Sequence, residues 1–218
     1  MPAAVSVDPL LRPRLRGVLH QWTFLVSLVA GVSLVLEAGS ARARVAAAIY
    51  ALSVAALFGT SALYHRIVWR TSGARRWMRR VDHTMIFVLI AGSYTPFALL
   101  VLDGTLGAVI LIVAWSGALL GALFKLVWID APTWLIAAAY LAVGWIALVA
   151  LPELIAGLGA VAVGALALGG VLYSSGAVIY ARKRPDPIPS VFGYHELFHL
   201  LVILAAALQY AVVAFWVL

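Results

Sequence analysis

The sequence predicts an all-α membrane protein, a bundle of seven transmembrane helices with its amino terminus cytoplasmic and its carboxyl terminus outside. Three observations carry this. Hydrophobic residues make up 65% of the 218-residue chain and charged residues only 11%, whereas soluble domains average about 45–50% apolar and about 25% charged. The apolar residues fall into runs of about 20, the length a helix needs to cross the hydrocarbon core, not the short alternating segments of a barrel. The basic residues cluster in every second connection. One domain is expected over residues 1–218, with 1–16 as a basic cytoplasmic arm.

The arm carries Arg12, Arg14 and Arg16. The first run, 18–38, opens at His20 and closes near Glu37; a polar, proline-containing arm before it and six runs after it argue against a cleavable signal peptide. The second run, 45–65, ends in Ser61-Ala62-Leu63-Tyr64-His65, followed by a loop with Arg66, Arg70, Arg75, Arg76, Arg79 and Arg80. The third, 81–101, starts at Val81-Asp82-His83 and contains Pro96, which removes a backbone donor and is expected to kink it. The fourth, 107–128, carries Gly117 and Gly121 at a spacing that suits close helix approach, within one bundle or between two copies. Lys125, near its end, is expected to snorkel to the surface. The fifth run, 133–151, is closed by Pro152 and Glu153; the glycine-rich sixth, 155–180, leads into Arg182-Lys183-Arg184-Pro185; the seventh, 191–217, ends the chain. Trp69, Trp77, Trp128, Trp134 and Trp216 lie near run ends, where indoles anchor helices at the interface.

Seven runs put the arm and the second, fourth and sixth connections on one side, with 13 of the 15 Lys and Arg; the other side has only Arg42 and Arg44. The crowded side is cytoplasmic by the positive-inside rule. The net charge of +7 is thus a topology signal and not a nucleic-acid footprint. The partners expected are the bilayer and a lipid substrate or ligand in the cell membrane, with no nucleic acid. The absence of cysteine excludes disulfides, thiolate metal sites and cysteine nucleophiles.

The chemistry gathers at one depth. His195 and His199 are four residues apart, about one helical turn, so both imidazoles leave the same face. Ionisable groups inside a membrane are rare and usually functional. Given the topology, His65 ends the second helix at the cytoplasmic level, Asp82 and His83 begin the third there, and His195 and His199 begin the seventh. Three histidines plus a carboxylate or water suit zinc, so His65, His195 and His199 are the expected ligands, with Asp82 bound directly or through water. Asp82 and Ser61, one turn before His65, are the candidate catalytic groups; in the structural alternative Ser61 bonds its own helix carbonyl. Glu196 and His83 are turned about 100° from their neighbours and need not face the site. His20 reads as an interfacial structural residue, and Glu37 lies too far toward the outer end. His195-Glu-Leu-Phe-His199 also spells a metalloprotease signature with Glu196 as base, but no carboxylate follows His199 to complete it.

Ser61-Ala62-Leu63-Tyr64-His65, Asp82-His83 leading to Ile90-Ala91-Gly92-Ser93-Tyr94-Thr95-Pro96-Phe97, and Phe192-Gly193-Tyr194-His195-Glu196-Leu197-Phe198-His199 together resemble the hemolysin III family, the bacterial branch of the progestin and adipoQ receptor (PAQR) superfamily. The resemblance spans all seven runs. It implies seven helices with the amino terminus inside, and a zinc ion held by His65, His195 and His199, with Asp82 reaching it directly or through water and Ser61 beside it. It also implies relation to membrane hydrolases of lipid amides such as ceramides. One departure is that many relatives carry another histidine further along the last helix, where this chain reads Ala205-Ala206-Ala207-Leu208-Gln209-Tyr210. Three functions follow as expectations: a zinc-dependent hydrolase of lipid amides, a pore-forming or cytolytic protein, and a non-catalytic sensor of lipid homeostasis or energetics with structural zinc. The composition offers little polar helix surface to line a water-filled pore.

Overall fold

A polypeptide in hydrocarbon must satisfy its backbone internally, and here helices do so almost throughout. The computed structural model describes residues 13–218; Arg12 and the rest of the arm before it lie outside the described residues. The elements are α1 (Val18–Glu37), α2 (Ala41–Arg66), α3 (Ser72–Leu100), α4 (Gly104–Val127), α5 (Thr133–Gly144), a 3₁₀ segment (Trp145–Ala150), α6 (Leu151–Arg182), α7 (Tyr194–Val212) and a terminal π turn (Val213–Val217). Among the described residues six helical stretches are long and apolar enough to cross a membrane, Thr133–Arg182 counting as one of 50 residues.

That long stretch is not straight. Extended as one helix it would run about 75 Å, yet the Thr133 hydroxyl lies 3.4 Å from the Ala181 carbonyl and the Trp145 indole donates to Ser174 Oγ at 3.0 Å. The chain turns back at Gly159, whose φ of 80° and ψ of 167° leave helical geometry in a region essentially restricted to glycine. The expected boundary at Pro152 and Glu153 is therefore moved. Pro152 sits in the first turn of α6, where a missing N–H costs nothing, and the preceding 3₁₀ turn accommodates it.

Helices adjacent in sequence pack side by side from α1 to α4 and again from α5 to α7, and α1 also meets α7. Two apolar clusters fill the interior. The larger includes Tyr50, Phe87, Phe97, Ile110, Ile136, Leu154 and Val212; the smaller joins Leu57 and Phe58 of α2, Leu89 of α3 and Val202 and Ala206 of α7. The smaller cluster makes α2, α3 and α7 neighbours, a relation the sequence left open. Outward faces stay apolar, as at exposed Val29, Leu52, Leu120 and Val161, which suits a lipid-facing surface and no aqueous one. Trp77, Trp128, Trp134 and Trp216 are likewise exposed, while the Trp69 indole donates to the Tyr64 carbonyl at 3.1 Å.

The basic end is tied together by cations on carbonyls and carboxylates. Arg79 pairs with Asp130 and holds its carboxyl below the usual carboxylate range; Arg80 donates to the Leu126 carbonyl at 2.8 Å. Lys125 does not snorkel. It is buried, and its ammonium donates to the Ile129 carbonyl at 2.7 Å, neutralising an orphan acceptor just past the end of α4.

Gly117 and Gly121 are used inside the bundle. A Cβ on Gly121 would lie 2.3 Å from the Phe87 ring of α3, and one on Gly117 3.2 Å from a Val143 methyl of α5. Gly121→Ala is expected to lower the thermal unfolding midpoint in detergent, by an overpacking cost of about 1–3 kcal/mol, and Gly117→Ala to lower it less. An unchanged melting curve for Gly121→Ala would contradict the packing of this face on Phe87.

Candidate metal centre

Each ligand reaches the site from a helix end. α2 delivers His65 in its last turn and α7 delivers His195 and His199 in its first two. The start of α7 is set by Gly193, whose N–H donates to the Glu196 carboxylate at 2.9 Å, and by Asp186, which accepts from the Tyr194 N–H at 2.7 Å. These bonds satisfy two N–H donors at the helix start and fix where the two histidines emerge.

One donor nitrogen from each of His65, His195 and His199 lies within 4.8 Å of the others. The Nε2 atoms of His65 and His195 are 3.2 Å apart. Two nitrogens on one tetrahedral zinc, each at about 2.0–2.1 Å, stand about 3.3 Å from one another, so the pair already has the separation that a shared ion requires. The rings cross at steep angles, 72° between His65 and His195 and 62° between His199 and each of the other two, so their nitrogens can converge from different directions. Three imidazoles in a water-poor setting are borderline-soft donors of the kind zinc takes. By geometry and by donor chemistry the three residues can hold a metal ion.

Asp82 lies outside that mutually close set and, with Ser61, lines one cavity together with His195 and His199. Both are buried, with the Ser61 hydroxyl close enough to the Asp82 carboxylate to interact with it. His83 also lines the cavity, its Nε2 4.0 Å from Asp82 Oδ2. Glu196 is set apart. Its side chain is 1% exposed, pairs with Arg16 and caps the α7 backbone, so both carboxylate oxygens are committed to structure. That removes it as the base of a protease-like reading.

Two kinds of residue escaped sequence reasoning. His20 is buried, lines the cavity and stacks on His199 with ring centroids 3.7 Å apart and planes 11° from parallel. α1 begins at the same end as the other histidines, so His20 shares their depth, although a histidine at the start of an apolar run reads as interfacial. Tyr140 and Tyr180 line the cavity too, with Tyr140 donating to the His83 carbonyl at 3.0 Å and Tyr180 edge-on to His195; no spacing rule marks them.

The cavity, about 240 Å³, runs from these polar groups past Leu57, Ile86 and Phe97 to Leu102, Ile110 and Leu154. Asp82 and Leu102 are separated by about 30 Å of helix rise. The site thus combines a polar, metal-competent end with a long apolar chamber extending through the bundle.

Comparison with known proteins agrees with this architecture. The model of the family described as "Haemolysin-III related" matches residues 9–210. The chain is 35% identical over 203 residues to "Hemolysin-3 homolog" of Bacillus subtilis (strain 168), covering 92% of each protein. It is 31% identical over 205 residues to "Hemolysin-3" of Bacillus cereus, covering 93% of this chain and 90% of that one. Matched along nearly its whole length and built of apolar helices fit to span a bilayer, the chain is a multi-pass membrane protein and belongs to the haemolysin-III-related family.

Proposed function

We propose that the protein is a zinc-dependent hydrolase of lipid amides, with the scissile bond at the histidine end of the cavity. The observation that carries this is a long apolar chamber lined at its polar end by the buried carboxylate of Asp82 and by His195 and His199, two of the three convergent imidazoles. Zinc held by His65, His195 and His199 would supply Lewis acidity, polarising a carbonyl and acidifying a water. The apolar chamber holds the acyl chain and fixes the amide at the polar end, so binding energy from the chain positions the reacting carbon. Water adds to that carbon. Asp82, which is not in the mutually close donor group, accepts the proton and delivers it to the nitrogen as the C–N bond breaks. Ser61 orients the carboxylate. The products are a fatty acid and an amine.

The chamber's apolar wall also weighs against a water-filled pore, although the Bacillus cereus relative carries a haemolysin's name. A non-catalytic sensor would use the same chamber and ions and differ only in lacking turnover.

We infer further that the chain crosses the membrane seven times, the turn at Gly159 dividing the fifth crossing from the sixth, with the amino terminus cytoplasmic. The contacts between residues 14–16 and 190–196, and between residues 79–80 and 126–130, gather the basic connections at one end, and the positive-inside rule makes that end cytoplasmic.

Two experiments test these readings. The natural chain has no cysteine, so Gly39→Cys and Ser190→Cys each carry one exposed thiol. An impermeant maleimide should label Gly39→Cys in intact cells and Ser190→Cys only after permeabilisation; the reverse pattern would invert the orientation. Purified protein incubated with a mixed membrane-lipid extract should release fatty acid, read by mass spectrometry. Asp82→Asn, which cannot accept the proton, should lower that release by about 10²–10⁴-fold while retaining metal. Equal release by wild type and Asp82→Asn would exclude Asp82 as the base, and no release by the metal-loaded wild type would favour the sensor.

A further inference from the structure

The start of α1 touches the metal centre at three points within five residues. Arg16 pairs with the buried carboxylate of Glu196, between the two histidines of α7. Gly17, at φ 76°, lies so close to α2 that a Cβ there would stand 2.5 Å from the Cβ of His65. His20 lays its ring flat on His199 at 3.7 Å, with its other surroundings including Phe58, whose ring meets it edge-on at 4.9 Å. Just before them, the N–H groups of Arg14 and Leu15 donate to the Ser190 and Val191 carbonyls at 3.0 and 3.1 Å, joining the arm to the loop that leads into α7.

These contacts do different work. The backbone bonds and the ion pair locate the segment. The missing side chain at Gly17 lets it approach His65. The stack acts on a ligand itself. An imidazole can rotate about two side-chain bonds, and its terminal torsion is broad, so a ligand ring not otherwise held loses its aim at the ion. For metal-bound histidines this aim is ordinarily set by a hydrogen bond to the second ring nitrogen. At His199 the flat His20 ring, stacked at a centroid distance of 3.7 Å, restrains the ring plane.

We propose that His20 is a positioning residue of the metal centre, holding the His199 ring by stacking so that its donor nitrogen stays in the group formed with His65 and His195. This rests on the metal-binding reading of that group. His20 is not itself among the mutually close donors, so it acts through His199.

The test compares His20→Ala with His20→Phe in the full-length protein in detergent, using zinc competition against a chromophoric chelator and the visible spectrum of the cobalt(II)-loaded protein. His20→Ala should weaken zinc binding by about 10–100-fold, the range for loss of a residue that orients a ligand, and should shift the cobalt bands. His20→Phe, which keeps a flat ring but no nitrogen, should restore both. Should His20→Ala fail to elute as a monodisperse species, His20→Leu replaces it, filling the volume without a plane. Wild-type affinity and spectrum in the Ala or Leu variant would overturn the proposal. So would a His20→Phe protein as impaired as His20→Ala, which would assign the effect to the imidazole nitrogens. A wild-type protein that takes up neither zinc nor cobalt removes the metal reading itself, an outcome separate from either of these.

Discussion

Polar side chains enclosed by apolar helices have no water to fall back on, so each must be satisfied by another part of the protein or by something it binds. At the basic end of this bundle that demand organises the structure. Arg16, Glu196 and the Gly193 N–H satisfy one another. Lys125 caps the chain just beyond α4. His65, His195 and His199 each bring a ring nitrogen toward a common point. The 3.2 Å between the Nε2 atoms of His65 and His195 is the separation of two nitrogens on one cation and equally that of an N–H···N hydrogen bond.

The helices are arranged to make that convergence possible. α2 and α7 each contribute from one end only, and α3 sets Asp82 at the same level. The small cluster of Leu57, Phe58, Leu89, Val202 and Ala206 lies further along the same three helices. Apolar packing deeper in the bundle therefore holds the polar groups in register at its end. The chamber runs the same way from these groups, lined by Leu57, Leu89 and Val202 of that cluster on its way into the bundle.

Much of this was legible in the residues. Hydropathy located the runs, and the four-residue spacing of His195 and His199 placed both on one face. Depth added His65, Asp82 and Ser61, because antiparallel helices return distant residues to one level. What stayed hidden depended on local geometry. Pro152 looks like a helix terminator, but a proline in a first turn is tolerated, and the break came instead at Gly159, one glycine among several in that run. Lys125 looked exposed because lysine usually reaches for water; its carbonyl partner is visible only once the turn after α4 is folded. His20 occupied the right depth, yet nothing in a linear chain shows that its ring lies flat on His199. Glu196 is the converse case: the metalloprotease spelling suggested a base, and the fold commits it to Arg16 and a helix start.

The central claim is that α2 and α7 together build a three-histidine zinc site. X-ray absorption at the zinc edge of protein purified without chelators tests it most directly, with metal content measured on the same sample. The account predicts about one zinc per chain and a first shell of three imidazole nitrogens and one oxygen at about 2.0–2.1 Å, reduced in both occupancy and imidazole count by His65→Ala. Protein that stays metal-free under those conditions, or zinc whose first shell is unchanged in His65→Ala, would contradict it.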